Sequence, residues 1–129
     1  MFESLDFVYL PSRDAAADVR HFVDGLGGSP VFAIEAFGTR VAMVEMADGG
    51  PAVLLAEHLE GDRPILVFRV ADLDQAVAAA AERGVETLVR FGIPDGPGAE
   101  LAMNGPQRIA LYQLTRPEVA QRLRGRRDF

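Results

Sequence analysis

Few of the residue types in this chain can carry covalent chemistry. Its 129 residues include no Cys and no Lys, and all 13 basic residues are Arg. A thiolate nucleophile, a zinc–cysteine site, an iron–sulfur cluster and a disulfide framework are therefore excluded. Schiff-base chemistry and the lysine of a phosphate-binding loop are excluded with them. Ser4, Ser12 and Ser29 have no adjacent His and no nucleophile-elbow sequence. The glycines of Gly92-Ile93-Pro94-Asp95-Gly96-Pro97-Gly98 are interrupted by proline and precede a strand, so they read as a loop and not as a phosphate cradle. Two His, two Tyr, the Arg residues and the acids remain. His21 falls on the polar side of a helix and reads as a surface residue, while His58 follows Glu57 in a polar connector and reads as solvated. Glu35 and Glu45 lie in neighbouring strands, where two acids could form a general acid/base pair; exposed strand acids are common, and that reading is preferred.

Hydrophobic periodicity defines the elements that hold these residues. Leu5 to Leu10 is a short β-rich run, and Ser12 and Asp14 offer caps to a helix in which Val19, Phe22, Val23 and Leu26 form one apolar stripe. Strands at about 30–37, 39–47 and 51–57 follow, separated by Phe37-Gly38-Thr39 and Asp48-Gly49-Gly50-Pro51. The order then repeats. Pro64 to Val70 reads as a strand, and Asp72-Leu73-Asp74-Gln75 opens a helix that stops at Gly84. Strands at about 85–91, 98–103 and 107–114 complete the unit, with Asn104-Gly105 as a two-residue hairpin signal. Phe7-Val8-Tyr9-Leu10 with Asp14 precedes Ile65-Leu66-Val67-Phe68 with Asp72 at a constant offset, which marks an internal duplication of a βαβββ module. The expected organisation is one α+β domain over 1–129, with module one at 5–57, module two at 64–114, and a tail at 115–129. Thr115 and Glu118 are spaced as a capping box for a short terminal helix in that tail.

Charge is unevenly divided. Residues 1–114 carry 8 Arg against 17 acids, whereas 115–129 carry 5 Arg against 2 acids, so the tail reads as a solvated, frayed end. An acidic body disfavours nucleic-acid binding. An acidic N-terminus without a leader pattern, no apolar run of membrane-spanning length and the lack of Cys give cytoplasmic residence and no membrane as the expectation.

Two βαβββ modules, the phrase Phe68-Arg69-Val70-Ala71-Asp72-Leu73-Asp74 entering the second helix, and Asn104-Gly105-Pro106-Gln107-Arg108-Ile109-Ala110-Leu111-Tyr112-Gln113-Leu114 near the end together resemble the vicinal oxygen chelate superfamily of glyoxalases, bleomycin-resistance proteins and dioxygenases. The resemblance covers residues 5–114. It implies a curved, partly open mixed sheet forming a cup, with helices outside. In metal-dependent relatives, it implies ligands in the first and fourth strands of each module. Those positions here hold Phe7, Leu54, Ile65 and Ala110, none of which can donate a lone pair, so no metal and no other cofactor is expected.

Taking these four positions as the inner face, strand alternation adds Tyr9, Ala52, Ala56, Val67, Arg69, Arg108 and Tyr112 to the cup and places Val8, Leu10, Leu55, Leu66, Phe68 and Leu111 under the helices. The expected ligand-binding set is Phe7, Tyr9, Leu54, Ile65, Val67, Arg69, Arg108, Ala110 and Tyr112, with Arg69 as a two-pronged partner for an anion and the Tyr rings as stacking platforms. The reading preferred from the sequence is a metal-independent protein that binds or sequesters a small organic molecule as a homodimer. The terminal helix would offer Val119 and Leu123 for docking of the second chain. The alternative is a glyoxalase-like lyase, isomerase or dioxygenase-related enzyme with a non-standard active site.

Overall fold

A computed structural model describes residues 2–129. Eight strands form one open mixed sheet, in the order β2-β3-β4-β1-β5-β8-β7-β6. Module one comprises β1 (Phe2–Pro11), α1 (Ala15–Arg20) and its π-helical continuation (His21–Gly25), β2 (Ser29–Ala36), β3 (Thr39–Glu45) and β4 (Ala52–Ala56). Module two comprises β5 (Ile65–Val70), α2 (Leu73–Glu82), β6 (Thr87–Ile93), β7 (Gly96–Leu101) and β8 (Ile109–Gln113); α3 (Pro117–Leu123) follows. Within each module the first and fourth strands pair in parallel, β1 with β4 and β5 with β8. The modules join where β1 and β5 pair antiparallel at the centre of the sheet. This is the α+β architecture expected from the repeat.

The duplication extends to the helix caps. Asp14 is the N-cap of α1 and accepts from the Ala17 amide at 3.1 Å, as Asp72 accepts from the Gln75 amide at 3.0 Å. In each case a side chain just past or at the end of the module's last strand satisfies a second exposed amide. Glu57 accepts from Ala15 at 2.8 Å, and Gln113 accepts from Leu73 at 2.9 Å. Helices this short need such partners, because their first-turn amides have none within the helix. The convex face of the sheet is buried beneath them. Val19 of α1 packs on Ala33, Ala42, Val44 and Leu55, and Leu73 of α2 packs with Val70, Ala99, Leu101 and Leu111. Each fully buried Leu or Val there contributes about 1.5–3 kcal/mol of transfer free energy. A third cluster, on the concave face, is the floor of the cup.

Three local expectations are corrected. Residues 92–98 are not a loop: β6 runs to Ile93 and β7 begins at Gly96, leaving a tight hairpin whose tip is Pro94 and Asp95. Asn104-Gly105 does not make a two-residue hairpin, because β7 ends at Leu101 and β8 starts at Ile109, with bends between. The cap of α3 is Arg116 with Pro117 in the first turn, and no side chain closes a capping box.

The tail is not frayed. The Gly125 amide donates to Val31 O at 2.7 Å, the Ala33 amide to Arg126 O at 2.8 Å, and the Asp128 amide to Ala33 O at 2.6 Å, so the last residues add a short parallel bridge to the outer edge of β2. Phe129 packs into the α1 cluster with the Arg40 guanidinium 5.2 Å from its ring centre. Leu123 packs on the cup cluster of its own chain, so that side chain is used within the chain.

Candidate functional site

The concave face gathers most of the side chains that alternation assigned to it. Phe7, Leu54, Ile65, Val67, Ala110 and Tyr112 are all buried there, with Tyr9 and Ala52 packed against them. Arg108 borders the module-two side of the cup. Its guanidinium is already committed, both nitrogens reaching the Glu100 carboxylate at 3.0 Å and a third contacting Glu60 O at 3.2 Å. Arg69 lies opposite Ser4 in the β1–β5 ladder, with its Nε 3.4 Å from Glu3 and 3.6 Å from Asp6. That nitrogen is buried and makes no hydrogen bond. Both arginines thus face acids of the same chain. Arg69 borders none of the three cavities of the cup.

Three cavities divide the cup. The largest, about 360 Å³, lies at the module-one end between the start of β1, the β3–β4 turn and α3, and both Asp6 and Asp95 open onto it. A small one of about 130 Å³ lies beside it among Phe7, Phe32, Ile34, Met43 and Leu54. The third, about 240 Å³, occupies the module-two side among Ile65, Val67, Val89, Phe91 and Ala110. Tyr9, His58, Gly92 and Ile93 border both smaller cavities. His58 therefore does reach the cup mouth, although it is exposed and its nearest polar contact is Thr39 at 3.5 Å. His21 is exposed on the π-helical turn. Glu35 and Glu45 are no pair, since Glu35 stands across from Arg40 and Glu45 across from Ser29, at opposite ends of the hairpin.

Asp6 and Asp95 are the chemically distinctive residues. Strand alternation would put Asp6 on the helix side, because its neighbour Phe7 points into the cup. A bulge between Leu5 and Phe7 shifts the register against β5 and turns Asp6 inward. One Asp6 oxygen accepts from Ser4 Oγ at 2.6 Å and the other from the hydroxyl of buried Tyr112. Tyr112 is held by its ring, which packs tilted at 45° against Phe7 with ring centres 5.2 Å apart. Burial, reinforced by the hydrogen bond to Asp6 and its negative charge, pushes the Tyr112 hydroxyl far above its ordinary range, so it remains a donor.

Asp95 rides on the tip of the β6–β7 hairpin, which bends over the cup. Its carbonyl accepts from the Thr115 and Arg116 amides at 3.0 and 2.9 Å, which fix the tip to the start of the tail. Arg116 adds hydrogen bonds to Ile93 O at 2.7 Å and Pro94 O at 3.1 Å. Burial first, and then the charge of Asp6, raise the Asp95 carboxyl above its ordinary value. Burial, together with Asp95, pushes Tyr9 up to about 12. The result is two carboxyl groups on one cavity with different surroundings, one bound by hydroxyl donors and the other desolvated.

The residues do not fit a chelated divalent ion at the positions the resemblance implies. Phe7, Leu54, Ile65 and Ala110 are hydrocarbon floor, and no group of three His, Asp or Glu among the described residues is arranged to hold a cation. No helix among the described residues is long and apolar enough to cross a membrane.

No protein-family model matches the sequence, and no curated protein matches it. Solved structures do. A methylmalonyl-CoA epimerase from Mycobacterium tuberculosis superposes with a TM-score of 0.76 at 19% identity, covering 92% of this chain and 93% of that one. A Streptomyces coelicolor methylmalonyl-CoA epimerase variant in complex with 2-nitronate-propionyl-CoA gives 0.72 at 19% identity over 89% and 96%. A glyoxalase I variant from Zea mays gives 0.65 at 16% identity; the match covers 88% of this chain but only 44% of that one. With the strand order and the paired modules described above, these likenesses establish that the chain has the vicinal oxygen chelate fold.

Proposed function

We propose that this protein is an isomerase- or lyase-class enzyme that moves a proton on the carbon next to a carbonyl group of a small organic molecule, using Asp6 and Asp95 in place of a chelated metal. Of the two readings drawn from the sequence, the enzyme is better supported than the sequestering protein. The observation that carries it is the pair of unlike carboxyl groups on one cavity. A protein that only stores an organic molecule gains nothing from desolvating Asp95 beside another acid, and the arrangement costs stability. The fold's likeness to methylmalonyl-CoA epimerases and to a glyoxalase adds support at the level of fold.

The chemistry follows from the surroundings of each group. Asp95, whose half-burial shifts its carboxyl toward the protonated form, donates a hydrogen bond to the substrate carbonyl oxygen and stabilises the charge that develops there. Asp6 removes the neighbouring C–H proton; the electron pair of that bond forms the C=C bond of the enol, and the Asp95 proton shifts to oxygen. The enol O–H proton then returns to Asp95 and the carbonyl re-forms as the carbon takes back one proton; delivery of that proton to the opposite face of the planar enol gives the epimer. Ser4 and Tyr112 hold the Asp6 oxygens in fixed directions, so little orientation is lost on reaching the transition state. The test is deuterium wash-in followed by proton NMR, with a panel of neutral ketones, aldehydes and thioesters in heavy water. At least one member is expected to exchange faster than in buffer, and Asp6→Asn and Asp95→Asn are each expected to abolish the excess. No exchange across the panel, or undiminished exchange in both variants, refutes the reading.

The homodimer and cytoplasmic residence expected from the sequence are carried forward as part of the proposal, and light scattering at micromolar concentration tests the first.

A further inference from the structure

We infer that the substrate of this site is an uncharged carbonyl compound with an unbranched apolar tail, and that the tail threads the centre of the cup into module two. This rests on the enolisation proposed above and adds the substrate class. The first argument is continuity. The module-one cavity and the small central one share Phe7, Phe32, Met43 and Asp95, and the central one shares Tyr9, His58, Gly92 and Ile93 with the module-two cavity. The three cavities therefore adjoin in series, with only these side chains between them, and a molecule whose carbonyl meets Asp95 reaches the module-two side by displacing them.

The second argument is chemical. That path is hydrocarbon at the positions where a chelated ion would otherwise interrupt it: Leu54 in the centre, and Ile65 and Ala110 beyond. Of the polar groups bordering the module-two cavity, Tyr9 and His58 lie where it meets the central one, while Arg108 and Glu100 beyond neutralise one another with both contacts at 3.0 Å. Little is left there to read a polar substituent, whereas each buried methylene gains transfer free energy. The third argument is charge. With Asp95 acting as the acid, the reacting end is bordered by the carboxylates of Asp6 and Glu45 against Arg124, which pairs with Glu45 at 3.2 Å. Net negative surroundings disfavour a carboxylate or phosphate on the substrate and leave a neutral carbonyl as the fitting head group.

The experiment is calorimetric titration of the full chain with straight-chain 2-ketones from 2-butanone to 2-undecanone. Dissociation constants are expected to fall by about fourfold per added methylene, the equivalent of ordinary hydrocarbon burial, and then to level off when the channel is full. Ala110→Phe, which fills the module-two cavity, is expected to bring the plateau several carbons earlier and leave 2-butanone unaffected. Val89 borders the same cavity and is 50% exposed, so Val89→Asp offers a second variant that spares the core. It is expected to weaken 2-undecanone at least tenfold with no change for 2-butanone. Absence of binding at every length, affinity independent of length, or equal effects of both variants on short and long ketones overturns the inference. Deuterium wash-in on the same ketones separates the two proposals. Exchange with no length dependence leaves the reaction standing without the channel, and length dependence with no exchange leaves the channel without the reaction.

Discussion

Tyr112→Phe isolates the part of the site that orients Asp6. Tyr112 is 2% exposed and its ring packs against Phe7 at 5.2 Å, and Phe keeps both the ring and that contact. Only the hydroxyl that donates to Asp6 is lost. A hydrogen bond to a charged partner contributes about 1.5–3 kcal/mol where neither group can find water. The Asp6 side chain is 22% exposed, so water replaces part of the contact, and a loss of about 1–2 kcal/mol is expected. For a domain of this size that lowers Tm by roughly 3–8 °C, measurable by calorimetry. Ser4 still holds one oxygen, so Asp6 remains in the cavity but swings about its Cβ. With a substrate identified by wash-in, kcat is expected to fall about 10- to 100-fold with KM little changed, because an orienting contact matters most in the transition state. A merely structural Tyr112 would lower Tm and leave kcat in place. Unchanged kcat, whatever the change in Tm, would refute the assignment of Tyr112 as the positioning residue of Asp6.

The raised carboxyl of Asp95 has consequences for both activity and stability. With Asp95 as the acid, kcat/KM falls as pH rises through its raised value, and a wash-in rate that stays flat over that range contradicts the role. Folding favours the neutral form of this group, so its stabilising effect is full below the ordinary Asp value and is lost as pH rises through the raised one. Asp95→Asn should therefore raise Tm at pH 7 relative to the parent and lose that advantage near pH 3; a lower Tm at pH 7 would contradict it. Gly96→Ala should unseat the hairpin tip, because a Cβ there would stand 2.0 Å from Gln113 O; a loss of about 3 kcal/mol or more is expected in urea unfolding, and a loss below 1 kcal/mol would show that the tip is mobile.

The fold was legible because two independent signals agreed, the periodicity of each segment and the constant offset between the halves. Leu54 and Leu55 illustrate how well alternation works in a strand buried on both faces, since one enters the cup cluster and the other the α1 cluster. The same rule failed at Asp6. Parity counts residues, and a bulge inserts one without any mark in composition, although an acid between Leu5 and Phe7 in a buried strand was itself a sign that ordinary alternation would be costly there. Asp95 was hidden for a different reason: between Pro94 and Gly96 it has the form of a turn residue, and only the bend of the hairpin over the cup gives it another role. Arg108 borders the cup as parity placed it, whereas Arg69 borders none of its cavities, and sequence does not reveal that Glu3, Asp6 and Glu100 stand beside the two.

The docked tail also determines how copies of this sheet can meet. An open sheet offers two rims, and if both are free, chains can join head to tail without limit. Here one rim, at β2, is occupied by residues 125–128 of the same chain. The other rim, β6, keeps a free edge with Leu88 64% and Val89 50% exposed. Growth through strand pairing therefore has a single donor surface, and that surface can meet only its own copy across a two-fold axis. Such pairing terminates at two chains, whereas removal of the last five residues would restore the second rim and open the way to fibres.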